Sequence, residues 1–200
     1  MEKYEVAICL NILLIVLEIV ALMQCWDALG CIDFVYYTID SNIFLLISSI
    51  LYLVSRKNIP KIVQLAKYSS TLSVLITFLV VLLVLYPAYD FNFQFLFFEG
   101  PNLLMHVLCP IIAFISFTCF EEYNLENNLR NNFRALYFTI IYAIILLALN
   151  IQKIVVGPYP FFKVYKYPIL STILWILGIL IGALILSRLL VAIQKLNQIN

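Results

Sequence analysis

The sequence predicts an all-α integral membrane protein of six transmembrane helices with both termini in the cytoplasm. Hydrophobic residues make up 64% of the 200 residues and the mean hydropathy is +1.04, whereas soluble domains are roughly 45–50% apolar. Charged residues amount to only 12% and cluster between long apolar runs. Such a chain cannot cover itself with polar surface, so most side chains are expected to face lipid.

Six apolar runs of about 18 residues are each long enough to cross a bilayer. The first lacks the positively charged start and the small-residue cleavage site of a secretory signal, so it is expected to remain as a span. The loops are short, contain breakers such as Pro60 and Gly100-Pro101, and leave no room for a soluble domain. Residues 1–200 are therefore predicted to form one transmembrane domain, with spans at roughly 6–24, 35–55, 68–87, 102–120, 135–151 and 169–187.

The distribution of Lys and Arg predicts the orientation. With six spans, nine basic residues fall on the side of both termini and three on the other side. Cytoplasmic loops carry the excess of Lys and Arg, so both termini are expected in the cytoplasm. The nine are Lys3, Arg56, Lys57, Lys61, Lys67, Arg130, Arg134, Arg188 and Lys195, and the three are Lys153, Lys163 and Lys166.

Aromatic residues crowd the opposite, outer boundary and are densest from Phe91 to Phe98. Two interpretations remain open for this segment. It is an interfacial aromatic belt, or it lies in the interface and contacts acyl chains.

Composition also argues against several classes of function. The net charge of +1 leaves no basic excess, so nucleic-acid binding is not expected. Five cysteines without a CxxC pair, and a single histidine, predict no metal site. Cys25 and Cys31 share one outer loop and could form a disulfide only in an oxidising compartment.

One face of the second predicted helix is polar along its length. At 100° per residue, its polar residues fall within an arc of about 140°. Polar groups in spans face the bundle interior, where small hydroxyls also allow close helix packing. The face consists of Thr38, Ser41, Asn42, Ser48, Ser49, Tyr52 and Ser55.

Thr38 and His106 are predicted to lie at the same depth below the outer surface, in the second and fourth spans. A threonine hydroxyl needs an adjacent base to attack a carbonyl carbon. An imidazole buried in hydrocarbon is expected to be neutral, which is the form a base needs. The sequence therefore suggests Thr38 as a nucleophile and His106 as its general base, with a packing role for His106 as the alternative.

Polar neighbours complete this predicted site. Asn102, one turn before His106, is expected to orient the ring or the substrate, and Asn42 and Ser41 are expected to bind the substrate or the oxyanion. Pro110 has no N–H, so it should free the His106 carbonyl and kink the helix. Neither a GxSxG motif nor a histidine box occurs, which excludes a soluble-type lipase site and a di-iron desaturase site.

Glu18, deep in the first span on the same face as Asn11, suggests rival functions. An ionisable group inside the membrane is a functional hypothesis by default, so a small proton- or ion-coupled transporter is one alternative. Glu18 is equally compatible with a protonated carboxyl bonded to a neighbouring hydroxyl. A non-catalytic lipid-binding protein is a further alternative.

Three segments resemble the androgen-induced membrane protein family, which includes the androgen-dependent TFPI-regulating protein and bacterial members. Length and helix order agree over nearly the whole chain. The resemblance implies a threonine hydrolase of fatty acid esters of hydroxy fatty acids or related acyl esters, with Thr38 as nucleophile and His106 as base. The segments are Tyr36-Tyr37-Thr38-Ile39-Asp40-Ser41-Asn42, the His106 span with Pro110, and Gly157-Pro158-Tyr159-Pro160-Phe161-Phe162.

The expected partners are accordingly membrane lipids or a fatty acid ester substrate, with no cofactor. The composition is rich in Ile, Asn and Lys, as is common in bacteria. A multi-pass protein of the bacterial cell membrane is therefore expected.

Overall fold

The computed structural model describes residues 2–55 and 58–199, which form helices and loops with no β-strand. Five helices are long and apolar enough to cross a membrane, or six when one bent pair counts as a single span. The predicted class, an all-α multi-pass membrane protein, is confirmed. Arg56 and Lys57, used above to predict the orientation, lie outside the described residues.

The helices follow the apolar runs of the sequence, but α3 begins seven residues before the predicted span 68–87 and α8 ends twelve residues after the predicted span 169–187. Their bounds are α1 Lys3–Leu29, α2 Tyr37–Val54, α3 Lys61–Ala88, α4 Phe93–Phe97, α5 Leu103–Phe120, α6 Leu129–Ala135, α7 Tyr137–Ile151 and α8 Ile169–Ile199. A single 3₁₀ turn, Pro160–Phe162, precedes α8.

Local chemistry explains where α1 begins and ends. Glu2 and Glu5 form a capping box that satisfies N–H groups of the first turn. Gly30 ends the helix in the left-handed conformation, with φ of 70°, and its N–H donates to the Trp26 carbonyl at 2.8 Å. The resulting 27-residue helix is about 40 Å long, so its ends extend beyond a hydrocarbon core of about 30 Å.

The fifth predicted span is bent rather than straight. α6 and α7 meet at Leu136 at an angle of 49°. The 15 residues of α7 cover only about 22 Å, less than the hydrocarbon core of about 30 Å. A sixth crossing would therefore need both α6, which carries Arg130 and Arg134, and α7.

The polar face predicted for α2 faces the protein interior. α2 packs between α1 and α3, and Ser41, Asn42, Ser48 and Ser49 are fully buried. The Ser48 hydroxyl lies 2.7 Å from the Ser70 hydroxyl of α3. Hydroxyl pairs of this kind let the two backbones approach closely.

The two ends of the chain lie at the same end of the bundle. Lys3 Nζ donates to the main-chain carbonyl of Asn197 at 3.0 Å. The beginnings of α2 and α5, where Thr38 and His106 lie, are at the opposite end.

A buried ion pair occupies the terminal half of the bundle. Lys67 was counted above among the basic residues of the terminal side, but it has no exposed surface and lies inside the bundle. Its ammonium lies 3.6 Å from Glu121 Oε1. It also donates to Asn11 Oδ1 at 2.8 Å and Ser49 Oγ at 3.1 Å. Tyr123 donates to the second Glu121 oxygen at 2.6 Å. Full pairing of this kind is what allows two charges to remain buried.

Candidate active site

Thr38 and His106, predicted from their matched depth, face each other across the contact between α2 and α5. Thr38 Oγ1 lies 3.4 Å from His106 Nε2. Thr38 is the second residue of α2 and is half-buried, and His106 is 7% exposed. The two side chains therefore have the separation of a weak hydrogen bond in a largely dry setting.

His106 lies in a π-helical turn, Leu103–Leu108, at the start of α5. Pro110 follows within the next α-helical segment, and the Cys109 N–H bonds to the Leu104 carbonyl, five residues back. The missing N–H of Pro110, predicted above to disturb the helix, coincides with this wide turn. Turns of this kind are frequent at functional sites.

The other ring nitrogen fixes the tautomer of His106. Nδ1 lies 2.7 Å from the main-chain carbonyl oxygen of Leu96. A carbonyl oxygen only accepts hydrogen bonds, so Nδ1 carries the proton and donates it. In the neutral ring, Nε2 then presents its lone pair to the Thr38 hydroxyl, which is the geometry of a general base.

The short helix α4 supplies that carbonyl and is held in place by Asn102. Asn102 Nδ2 donates to the Phe95 carbonyl at 2.8 Å, one residue before the carbonyl that binds His106. Leu96 and Phe97 are buried, whereas Phe93 is 52% exposed. The aromatic segment thus presents rings at the outer surface while its main chain orients the base. No pattern in the sequence indicates this second role.

Asn42 and Ser41 hold the main chain of Thr38. Asn42 Nδ2 donates to the Thr38 carbonyl at 2.7 Å and to the Met105 carbonyl at 3.4 Å. The Ser41 hydroxyl donates to the Thr38 carbonyl at 3.1 Å and lies 3.0 Å from the Thr77 hydroxyl. These donors are engaged by protein oxygens, so the substrate or oxyanion contacts of Asn42, Ser41 and Asn102 stay predictions.

Tyr159 is a site residue for which the sequence analysis assigned no role. Its hydroxyl oxygen accepts the N–H of Tyr37, the first residue of α2, at 2.9 Å and lies beside the Thr38 side chain. Burial raises the pKa of Tyr159 to about 12, so the hydroxyl keeps its proton. The Gly157-Pro158-Tyr159-Pro160 motif is visible in the sequence, but no local pattern indicates that this loop returns to the start of α2.

Gly157 explains how the loop fits. A Cβ at this position would lie 2.7 Å from Phe162 Cβ and 2.9 Å from Asn150 Nδ2. Only glycine lets the chain approach α7 this closely, and the approach sets the position of Tyr159 two residues later.

An apolar cavity of about 60 Å³ opens against Thr38. Thr38 and Tyr159 line it, whereas His106 is not among the described residues that do. His106 therefore contacts the Thr38 hydroxyl without forming part of the cavity wall. The remaining wall is mostly aliphatic and includes Ile76, Val80 and Ile179.

The remaining predicted groups lie away from this cavity. Glu18 has no exposed surface, and neither of its carboxyl oxygens has a hydrogen-bond partner in the described part of the chain. The hydroxyl partner considered above is thus not found, and the Cys109 thiol lies beside the carboxyl instead. Cys25 and Cys31 are free thiols, and Cys25 Sγ lies 3.8 Å from Met105 Sδ.

Comparison of this chain with models of protein families, with curated protein sequences and with solved structures finds no match. The interpretation of the site therefore rests on its own geometry.

Proposed function

We propose that this protein is an intramembrane hydrolase of lipid esters, with Thr38 as nucleophile and His106 as general base. The observation that carries the proposal is the chain of contacts from the Leu96 carbonyl through the His106 ring to the Thr38 hydroxyl. An activated hydroxyl with an oriented base is the arrangement that acyl transfer needs. The apolar cavity against Thr38 supports an acyl ester as substrate.

Acylation would begin when His106 Nε2 takes the Thr38 proton while Oγ1 attacks the ester carbonyl carbon. The new C–O bond makes a tetrahedral oxyanion, and its collapse breaks the bond to the alcohol. Nε2 then returns the proton to the leaving alkoxide. An acyl-Thr38 ester remains and one alcohol departs, which for the expected substrate is a hydroxy fatty acid.

Deacylation would repeat these steps with water. His106 takes a proton from a water molecule, whose oxygen attacks the acyl carbon, and the proton returns to Thr38 Oγ1 as the fatty acid leaves. One water is consumed for each ester cleaved. No cofactor is required.

Tyr159 is proposed as an oxyanion donor. Its hydroxyl lies beside the Thr38 side chain and the Tyr142 hydroxyl, so its O–H would turn from these partners to the oxyanion formed at Thr38. A neutral donor aimed at the developing negative charge typically contributes about 10²–10³-fold to the rate.

We also propose six crossings, both termini in the cytoplasm and an active site at the outer side. The contact between Lys3 and Asn197 supports an even number of crossings. Setting the buried Lys67 aside changes the basic residues from nine against three to eight against three, which still favours cytoplasmic termini.

Labelling with a fluorophosphonate probe, followed by peptide mass spectrometry, tests the nucleophile. Wild type is expected to carry the probe on Thr38, and His106→Ala and Thr38→Ala are expected to lose it. Thr71→Ala, which removes a fully buried threonine hydroxyl from α3, is the control and should label normally. Absence of label on folded wild type would contradict the proposal.

A second candidate, a proton- or ion-coupled transporter, is favoured by Glu18, whose carboxyl is fully buried in the bundle with the Cys109 thiol beside it. It requires ion-dependent flux in liposomes that Glu18→Gln abolishes. Bound lipid without labelling or flux would instead indicate a non-catalytic lipid-binding protein.

A further inference from the structure

We propose that the acyl chain of the substrate lies in a groove between α3 and α8 that continues the Thr38 cavity toward the middle of the membrane. This proposal rests on the proposed function, because it names where the tail of the ester lies during attack by Thr38. The groove is called the acyl groove below. Its walls are Ile76, Leu79, Val80, Leu83 and Val84 of α3 and Trp175, Gly178, Ile179, Gly182, Ala183 and Leu186 of α8.

The size of the Thr38 cavity requires such a continuation. Its volume of about 60 Å³ is well below the roughly 300–1,000 Å³ of pockets that enclose whole ligands. It can hold an ester group and the first carbons of a chain, but not a complete fatty acyl chain. The remaining methylene groups must therefore leave the cavity.

The acyl groove adjoins the Thr38 cavity. Ile76, Val80 and Ile179 line both spaces, so the two are separated by shared side chains rather than by a helix. The acyl groove has a volume of about 300 Å³. Cavity and groove together provide the missing space.

The direction of the acyl groove fits an amphiphile. On α8 the cavity is lined by Ile176 and Leu180, whereas the groove extends to Leu186. On this helix the groove therefore reaches six residues, about 9 Å at 1.5 Å per residue, further toward the terminal side than the cavity, whereas on α3 both begin at Ile76. A lipid ester in the outer leaflet has its ester group near the membrane–water boundary. Its acyl tail points toward the middle of the membrane, as the groove does.

Two glycines keep the acyl groove open. A Cβ added at Gly178 or Gly182 would meet nothing within 4 Å, so neither glycine is there to let another helix approach. The two positions are one turn apart on one face of α8. Larger side chains at both positions would occupy the groove that the two glycines line, and leucine is also the better helix former.

The first test is the ratio of kcat/KM for a hexadecanoyl ester to that for a butanoyl ester of the same alcohol. The double variant Gly178→Leu/Gly182→Leu is expected to lower this ratio by at least about tenfold, because the added side chains exclude the long chain. Leu177→Phe adds bulk to the lipid-facing side of α8, where Leu177 is 49% exposed, and should leave the ratio unchanged. An unchanged ratio in the glycine variant would overturn the proposal.

A second measurement separates this proposal from the proposed function. A hexadecanoyl ester with a diazirine near the end of its chain is photolysed with Thr38→Ala protein in liposomes, and the labelled residues are mapped. Label concentrated on the groove walls, and lost in the glycine variant, supports the acyl groove even if wild type hydrolyses neither ester. Label spread over exposed positions such as Leu177 and Ile181 overturns it, whether or not hydrolysis occurs.

Discussion

The main-chain carbonyl of Leu96 accepts the Nδ1 proton of His106 at 2.7 Å. In Ser-His-Asp sites this place is taken by a carboxylate, which orients the ring and stabilises the imidazolium. A neutral carbonyl also orients the ring, but it stabilises the imidazolium less than a carboxylate does. The base therefore depends on the position of α4.

Loss of the base should abolish hydrolysis without unfolding the protein. His106→Ala is expected to lower kcat by about 10²–10⁴-fold, the usual contribution of a general base. The measurement is steady-state hydrolysis of the butanoyl ester, with thermal unfolding in detergent as the folding control. Full turnover in a folded variant would show that His106 is not the base.

Asn102 should affect the rate through α4 rather than through the substrate. Asn102→Ala removes the bond to the Phe95 carbonyl and is expected to lower kcat by about tenfold with little change in KM, as a misplaced catalytic group does. Asn127→Ala removes a similar side-chain bond, to the Arg188 carbonyl at 3.2 Å, at the other end of the bundle. It should not change kcat.

Tyr159→Phe should lower kcat by about 10²-fold if the hydroxyl binds the oxyanion. Because the pKa of Tyr159 is raised from 10.0 to about 12, its hydroxyl stays protonated at ordinary assay pH, and the variant should not shift the pH profile below 10. Tyr68→Phe, which removes the bond from another buried tyrosine hydroxyl to the Ser187 carbonyl at 2.8 Å, away from the cavity, is the control. Equal losses in both variants would indicate a structural role alone.

The same pKa predicts alkaline behaviour. A raised folded-state pKa means that the folded protein keeps a proton which the unfolded chain loses, so stability falls as pH rises from about 10 to about 12. Unfolding followed across this range should show a smaller loss in Tyr159→Phe than in wild type. A loss of equal size would show that Tyr159 does not contribute.

Gly157→Ala should disturb the loop that carries Tyr159. Its Cβ would lie 2.7 Å from Phe162 Cβ, and overpacking of this kind typically costs about 1–3 kcal/mol. Both the unfolding temperature and kcat are expected to fall. Gly178→Ala, where a Cβ meets nothing within 4 Å, should not lower the unfolding temperature.

The ion pair between Lys67 and Glu121 should matter for stability more than for chemistry. Removing one partner of a buried pair typically costs about 3–5 kcal/mol, because the other charge is left unpaired. Lys67→Met and Glu121→Gln are each expected to unfold at lower temperature, and the double variant is expected to recover much of the loss. Additive losses would contradict the coupling of the two side chains.

Several parts of this structure could be predicted from the sequence because they are encoded locally. Apolar runs indicate the spans, and the helical period indicates the buried face of α2. Matched depth at the starts of the second and fourth predicted spans suggested that Thr38 pairs with His106, and the structure supplies the contact between their helices. Each of these signals needs only the residues of one helix and its distance from a loop.

Other parts could not be predicted, because they depend on contacts between distant segments. Tyr159 returns to the start of α2 through a loop whose path is set by packing of Gly157 on α7. The partner of His106 is the main-chain carbonyl of Leu96. Every residue has such a group, so no residue type in the sequence indicates which one binds the ring. Lys67 follows a loop in the sequence, and only its partner Glu121 shows that it belongs inside the bundle.

The main chain of α4, and not one of its side chains, makes the contact with His106. The orientation of His106 is therefore independent of which side chains α4 presents at its surface. The exposed rings of Phe93, Phe95 and Phe98 can be exchanged for others to adjust how deeply this edge sits in the bilayer. Such exchanges leave the Leu96 carbonyl, and hence the direction of proton transfer, as it is. The surface that α4 offers to its surroundings and the orientation of the proposed base can therefore change independently.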